Sequence, residues 1–97
     1  MTPEDAARAA EIRARGYPAR ITEIIAEVAE ATGWEPQEIT GARVFPGLVQ
    51  ARDLACFIAR REGFSLTQIG NVLRRDHSSI KTALQREQRR RGGANAT

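Results

Sequence analysis

Apolar side chains recur at three- and four-residue spacings along most of the chain, and no stretch alternates apolar and polar as a half-buried strand would. The pattern predicts an all-α fold. Thr2-Pro3-Glu4-Asp5 reads as a helix start, with proline at the first helical position and acids in the first turn. That alanine-rich, weakly amphipathic helix is expected to run to about Arg15 and to stop at Gly16-Tyr17-Pro18. A second helix is expected from about Thr22 to Thr32, with Ile24, Ile25, Val28 and Ala29 on its inner face and Gly33 as its stop. Residues 35–39 predict one short helical turn with Ile39 inward, and residues 40–49, broken by two glycines and a proline, predict a loop.

A third helix is expected from about Val49 to Glu62, with Leu54, Phe57 and Ile58 inward, Ala55 a further candidate for that stripe, and Arg52, Arg60 and Arg61 outward. Ser65 with Gln68 three residues on forms a capping-box signature, and Phe64 with Ile69 can form the accompanying staple, so a fourth helix is expected over Leu66 to Leu73. After Arg74-Arg75, Asp76 is a favoured cap for a fifth helix from about His77 to Arg90. Ile80, Ala83 and Leu84 face inward on it, nearly opposite Ser78, Thr82, Gln85 and Arg89. Three segments result: an N-terminal helical extension (1–20), a compact domain (21–90) and a polar tail (91–97) expected to be disordered.

Composition narrows the function. The 97 residues suit one small domain. Residues 1–40 carry eight acids and four arginines, net −4, while residues 41–97 are net +7. The second segment is therefore a candidate polyanion-binding surface. All its basic residues but Lys81 are arginine, whose planar fork suits phosphate oxygens and guanine edges. Chemistry for catalysis is sparse. One histidine (His77) and one cysteine (Cys56) lack an orienting partner, no phosphate-binding glycine loop occurs, and no ligand cluster for a metal is present. We therefore expect no catalytic residue, no metal, no nucleotide and no other cofactor. No apolar run has the length of a membrane helix, and the N-terminus does not read as a signal peptide, so a cytoplasmic, nucleoid-associated location is expected.

The stretch RRDHSSI (74–80) then stands out. A short helix, a three-residue connection and a longer helix form a helix-turn-helix outline, in which the start of the second helix reads base edges in the major groove. Asp76, His77, Ser78 and Ser79 supply short or planar hydrogen-bonding groups there, with Arg74, Arg75 and Lys81 around them for phosphate. As single residues, these could equally be a cap, a core-edge histidine and a solvated turn.

The segment from Ala51 to Arg86 resembles the C-terminal duplex-binding domain of the bacterial chromosomal replication initiator DnaA, a Trp-repressor-like helix-turn-helix. The likeness rests on ARD (51–53), SLTQIG (65–70) with Leu73 at the family's phenylalanine, and RDHSSI (75–80); IIAEVAEATGWEPQEITGAR (24–43) extends it upstream. By position, it implies base reading by Asp76, His77 and Ser78 with Ser79 nearby. It implies backbone contact by Arg52, Leu66 and Thr67, and minor-groove entry by Arg43. The family's basic loop here keeps Arg43 alone, and its usual glutamine is Asp53, expected to repel phosphate. The family's nucleotide-hydrolysing domain has no counterpart in these residues, so the expected partner is double-stranded DNA without ATP. The alternative is an adaptor that meets the initiator or another acidic partner, using the N-terminal helix as a protein contact.

Overall fold

A computed structural model of the chain describes residues 2–92, with the side chains of residues 7–15 outside that description. Five helices follow one another: α1 (Pro3–Thr32), α2 (Pro36–Ile39), α3 (Pro46–Arg61), α4 (Leu66–Leu73) and α5 (His77–Gly92). No strand occurs among the described residues. Arg91 and Gly92, expected to open the tail, belong to α5; the rest of that expectation, residues 93–97, lies outside the described residues.

The expected break at Pro18 does not occur. A proline inside a helix removes one backbone hydrogen bond and costs about 3 kcal/mol, yet α1 passes through it unbroken. Contacts from distant parts of the chain hold the helix on both sides. Tyr17 packs on the core and its hydroxyl accepts from Asn71 Nδ2 at 3.2 Å. Arg20 grips Glu62 with two hydrogen bonds, at 2.8 and 2.6 Å. Beyond the proline, Ile21, Ile24, Ile25, Val28 and Ala29 are all buried. Gly33 then stops α1 at φ 84°, a left-handed position suited to glycine, and its N–H bonds the Ala29 carbonyl at 2.9 Å.

The Arg20–Glu62 pair ties the middle of α1 to the end of α3. Hydrogen bonding to Arg20 holds the Glu62 carboxyl below its ordinary range. A depressed carboxylate contributes stability above its unfolded pKa and loses that contribution as pH falls through the folded one. The melting temperature of a Glu62→Gln variant is therefore expected to fall less than that of the parent between about pH 5 and pH 3. Equal falls in circular-dichroism melts would count against the coupling.

Helix α3 is the central element, packed against α1, α2, α4 and α5. It begins three residues earlier than expected, because Pro46 occupies its first position, where a missing N–H is harmless. Its buried side also differs from the expected stripe, of which the candidate Ala55 alone is fully buried. Leu48, Ala51, Ala55, Cys56 and Ala59 face inward, while Leu54, Phe57 and Ile58 are only half-buried. Small side chains let the neighbouring helices approach one axis. Ile39, Ile69, Leu73 and Ile80 complete the core from α2, α4 and α5.

Candidate nucleic-acid interface

The capping box opens α4 as the sequence predicts. Gln68 N–H donates to Ser65 Oγ at 3.1 Å, and Ser65 N–H donates to Gln68 Oε1 at 2.9 Å. The preceding Phe64 and the inward Ile69 are both buried. The N–H groups of Leu66 and Thr67, in the first turn, have no intrahelical acceptor, so this helix start can accept an anion. At the other end, Arg74 caps α4 in the left-handed region (φ 57°, ψ 44°), and Arg75 N–H bonds the Gly70 carbonyl at 2.9 Å. The chain thus doubles back tightly over Gly70 before α5 starts.

Asp76 starts α5. Its carbonyl accepts from the N–H groups of Ser79 (3.0 Å) and Ile80 (3.2 Å), and its carboxylate accepts from Ser78 N–H at 3.1 Å and from the Ser78 hydroxyl. Those Ser78 bonds are the main reason the Asp76 carboxyl sits below its ordinary range. His77 Nδ1 lies 3.5 Å from the other carboxylate oxygen. The carboxylate therefore fixes the first turn of α5. With its hydrogen committed to Asp76, the Ser78 hydroxyl turns acceptor lone pairs outward. Asp76, His77, Ser78 and Ser79 are all exposed, while Ile80 and Ala83 anchor the opposite face in the core.

A groove flanks α5 on each side. A cleft of about 410 Å³ separates it from the loop before α3, with Val44, Arg75, Ser79, Thr82 and Arg86 among its walls. A shallower groove of about 760 Å³ separates it from the start of α4, lined by Arg60, Leu66, Lys81, Gln85, Gln88 and Arg89 among others.

Residues 21–86 match the family model described as the bacterial dnaA protein helix-turn-helix. The chain belongs to that family. No curated protein and no solved structure matches it. The DnaA helix-turn-helix is a DNA-binding module, and its turn is the Leu73-to-His77 connection described above.

Against that DnaA-family frame, two arginines expected at phosphate have other work. Arg52 is only 4% exposed. Its Nε donates to the Ile39 carbonyl at 2.7 Å, and its Nη2 to the Glu38 and Gly41 carbonyls at 3.1 Å each. Burial, and then the nearby Arg75 charge, hold its pKa below the ordinary value. Arg75 is half-buried, donating to the Leu73 carbonyl at 2.8 Å and to the same Gly41 carbonyl. Both guanidiniums thus fasten the 41–45 loop to the helix-turn-helix. The Gly41 carbonyl gave no local signal of this, because its partners lie 11 and 34 residues away.

Asp53, expected to repel phosphate, is 0% exposed. Arg86 holds it with two hydrogen bonds, at 2.9 and 3.0 Å, and Arg90 reaches it at 3.0 Å. The buried Glu87 is paired in turn with Arg90 and Arg91. These arginines neutralise acids within the domain, so the number of basic residues in this half overstates its free cations. Arg43, Thr67, Arg74 and Lys81 are exposed, and Leu66 is half-buried. Arg60 and Arg89, which the position-by-position reading did not single out for DNA, share a groove with Leu66 and Lys81. Their outward placement was legible, but the meeting of α3, α4 and α5 at one groove was not.

Among the described residues no group of histidine, cysteine and carboxylates could hold a metal, and no helix is long and apolar enough to cross a membrane. Cys56 is buried, and burial pushes its thiol pKa up to about 12, which removes it as a nucleophile near neutrality.

Proposed function

We propose that this domain binds duplex DNA sequence-specifically, with α5 in the major groove, at initiator-type sites where it regulates replication or transcription. The observation that carries the reading is the setting of α5. Its polar tip is exposed, its opposite face is locked in the core, and a groove runs along each side, the one toward α4 lined by Arg60, Lys81 and Arg89. A helix in the major groove needs both: base edges ahead of it and a phosphate strand on each flank.

In this reading His77, Ser78 and Ser79 meet base edges, and Asp76 orders them. The Ser78 hydroxyl accepts from an exocyclic amine of cytosine or adenine. Lys81, Arg60, Arg89 and the Leu66 and Thr67 N–H groups take one strand. Arg74 stands at the turn. An arginine in left-handed backbone costs about 1 kcal/mol relative to glycine, a cost that a phosphate contact at the turn would explain. Arg52 and Arg75 act as positioning residues.

Duplexes recovered from a random pool give the test. His77→Ala and Ser78→Ala should each weaken binding to the selected site by about 1–3 kcal/mol and leave random duplex almost unaffected. Lys81→Ala should weaken both and reduce the salt slope by about one. Equal losses for His77→Ala on selected and random duplex would sink base readout. Failure to select any duplex would favour the adaptor reading.

A further inference from the structure

We infer that α5 reads outward-pointing base amines through Ser78 and Thr82, and that methylation of those amines excludes the domain from its site. The inference rests on the duplex-binding reading. It adds Thr82 as a further base-reading residue and gives the site a means of regulation.

Ser78 and Thr82 are exposed and lie one helical turn apart on the same stripe of α5. The hydrogen of each hydroxyl is committed within the helix. The Ser78 hydroxyl donates to the Asp76 carboxylate. The Thr82 hydroxyl donates to the Ser78 carbonyl at 3.1 Å. The direction is forced in each case, because an ionised carboxylate and a carbonyl can only accept. A hydroxyl with a free hydrogen could meet a donor or an acceptor. These two turn only lone pairs outward, so they can meet only a donor.

In the major groove the donors are few. Guanine shows N7 and O6 and thymine shows O4, all acceptors, while the N6 amine of adenine and the N4 amine of cytosine donate. The Asp76 charge beside the tip acts in the same direction, since it opposes acceptor edges. In a paired base one amine hydrogen is held by the partner base, and the other projects into the groove. A lone pair on α5 takes that outward hydrogen. A methyl group on the amine must occupy the outward place if pairing is to survive. It removes the donor and sets a carbon against an acceptor left without a partner. Four residues of α-helix rise about 6 Å, against about 3.4 Å per base step, so the two hydroxyls address amines one or two steps apart.

The test uses the full chain and a duplex selected from a random pool, with N6-methyladenine or N4-methylcytosine placed at one position at a time beneath α5. Anisotropy titrations should show roughly tenfold to a hundredfold weaker binding at two positions, one or two steps apart, and little change elsewhere. Where the base at such a position is adenine, 7-deazaadenine keeps the amine, loses the ring acceptor and should bind like the unmodified base. Ser78→Ala and Thr82→Val change exposed positions, and thermal melts check their folding. Each should bind the unmodified site more weakly, lose the methyl effect at one of the two positions and keep it at the other. A parent that binds its selected site and tolerates methylation at every amine beneath α5 overturns the inference and leaves the duplex reading standing. So does a methyl effect that survives at both positions in both variants. Failure of the parent to select any duplex overturns both readings.

Discussion

A Gly70→Ala chain is expected to melt well below its parent, although the same change in an exposed helix normally stabilises. Alanine gains about 0.5–1 kcal/mol over glycine in a helix interior. At Gly70 a Cβ would sit 2.4 Å from the Arg75 carbonyl oxygen and 3.5 Å from its carbon. Those are backbone atoms, and the Arg75 N–H to Gly70 carbonyl bond fixes the approach. Neither side can yield without opening the turn between α4 and α5. Overpacking typically costs 1–3 kcal/mol, and here it adds to the strain of displacing a capped turn, so the net loss should be about 2 kcal/mol or more. In a domain of this size each kcal/mol moves the midpoint by roughly 4–8 °C. Gly16 is the control. It lies inside α1, and a Cβ there would meet nothing within 4 Å. Gly16→Ala should hold or raise the midpoint. A Gly70→Ala chain that melts at or above the Gly16→Ala chain would show that the turn is not held by this approach.

The tightness of that turn was partly readable in advance. The limits of α4, the Ser65–Gln68 box and the Asp76 cap follow from bonds spanning two or three residues, which a sequence states directly. The exposed tip of α5 was legible for the same reason. What escaped depended on partners far along the chain. Pro18 signals a break, and it is core burial together with contacts from Asn71 and Glu62, 54 and 42 residues from their partners, that holds α1 on both sides of it. The stripe of Leu54, Phe57 and Ile58 looked like the inside of α3, but a helix packed on all four of the others buries its small side instead. Charge was the hardest to place. A count of arginines cannot say which guanidiniums already hold an internal acceptor, and Arg52, Arg75, Arg86 and Arg90 all do. The free cations of the proposed interface are a smaller, more localised set than the composition implied.

Replacing Asp53 with alanine is expected to cost about 2–3 kcal/mol, read as a lower midpoint in thermal or urea melts. The carboxylate is fully buried in α3, and Arg86 and Arg90 of α5 close over it. It is thus a clamp between the central helix and the reading helix. Removing one member of a buried ion pair usually costs 3–5 kcal/mol, because the other charge is left stranded. Here both arginines are about one-third exposed and can turn to water, so the lower figure applies. Asp53→Asn keeps the shape and loses the charge, and should fall between alanine and the parent. A double change, Asp53→Leu with Arg86→Met, should recover much of the loss, because it leaves no unpaired charge at that contact. The DNA titration separates the clamp from the repulsion expected at this position. Were Asp53 to oppose phosphate, Asp53→Asn would bind duplex more tightly at low salt. As a clamp, its loss lets α5 shift on α3, and binding should stay level or weaken while the salt slope changes little. Tighter binding by a fully folded Asp53→Asn chain would restore the repulsive role.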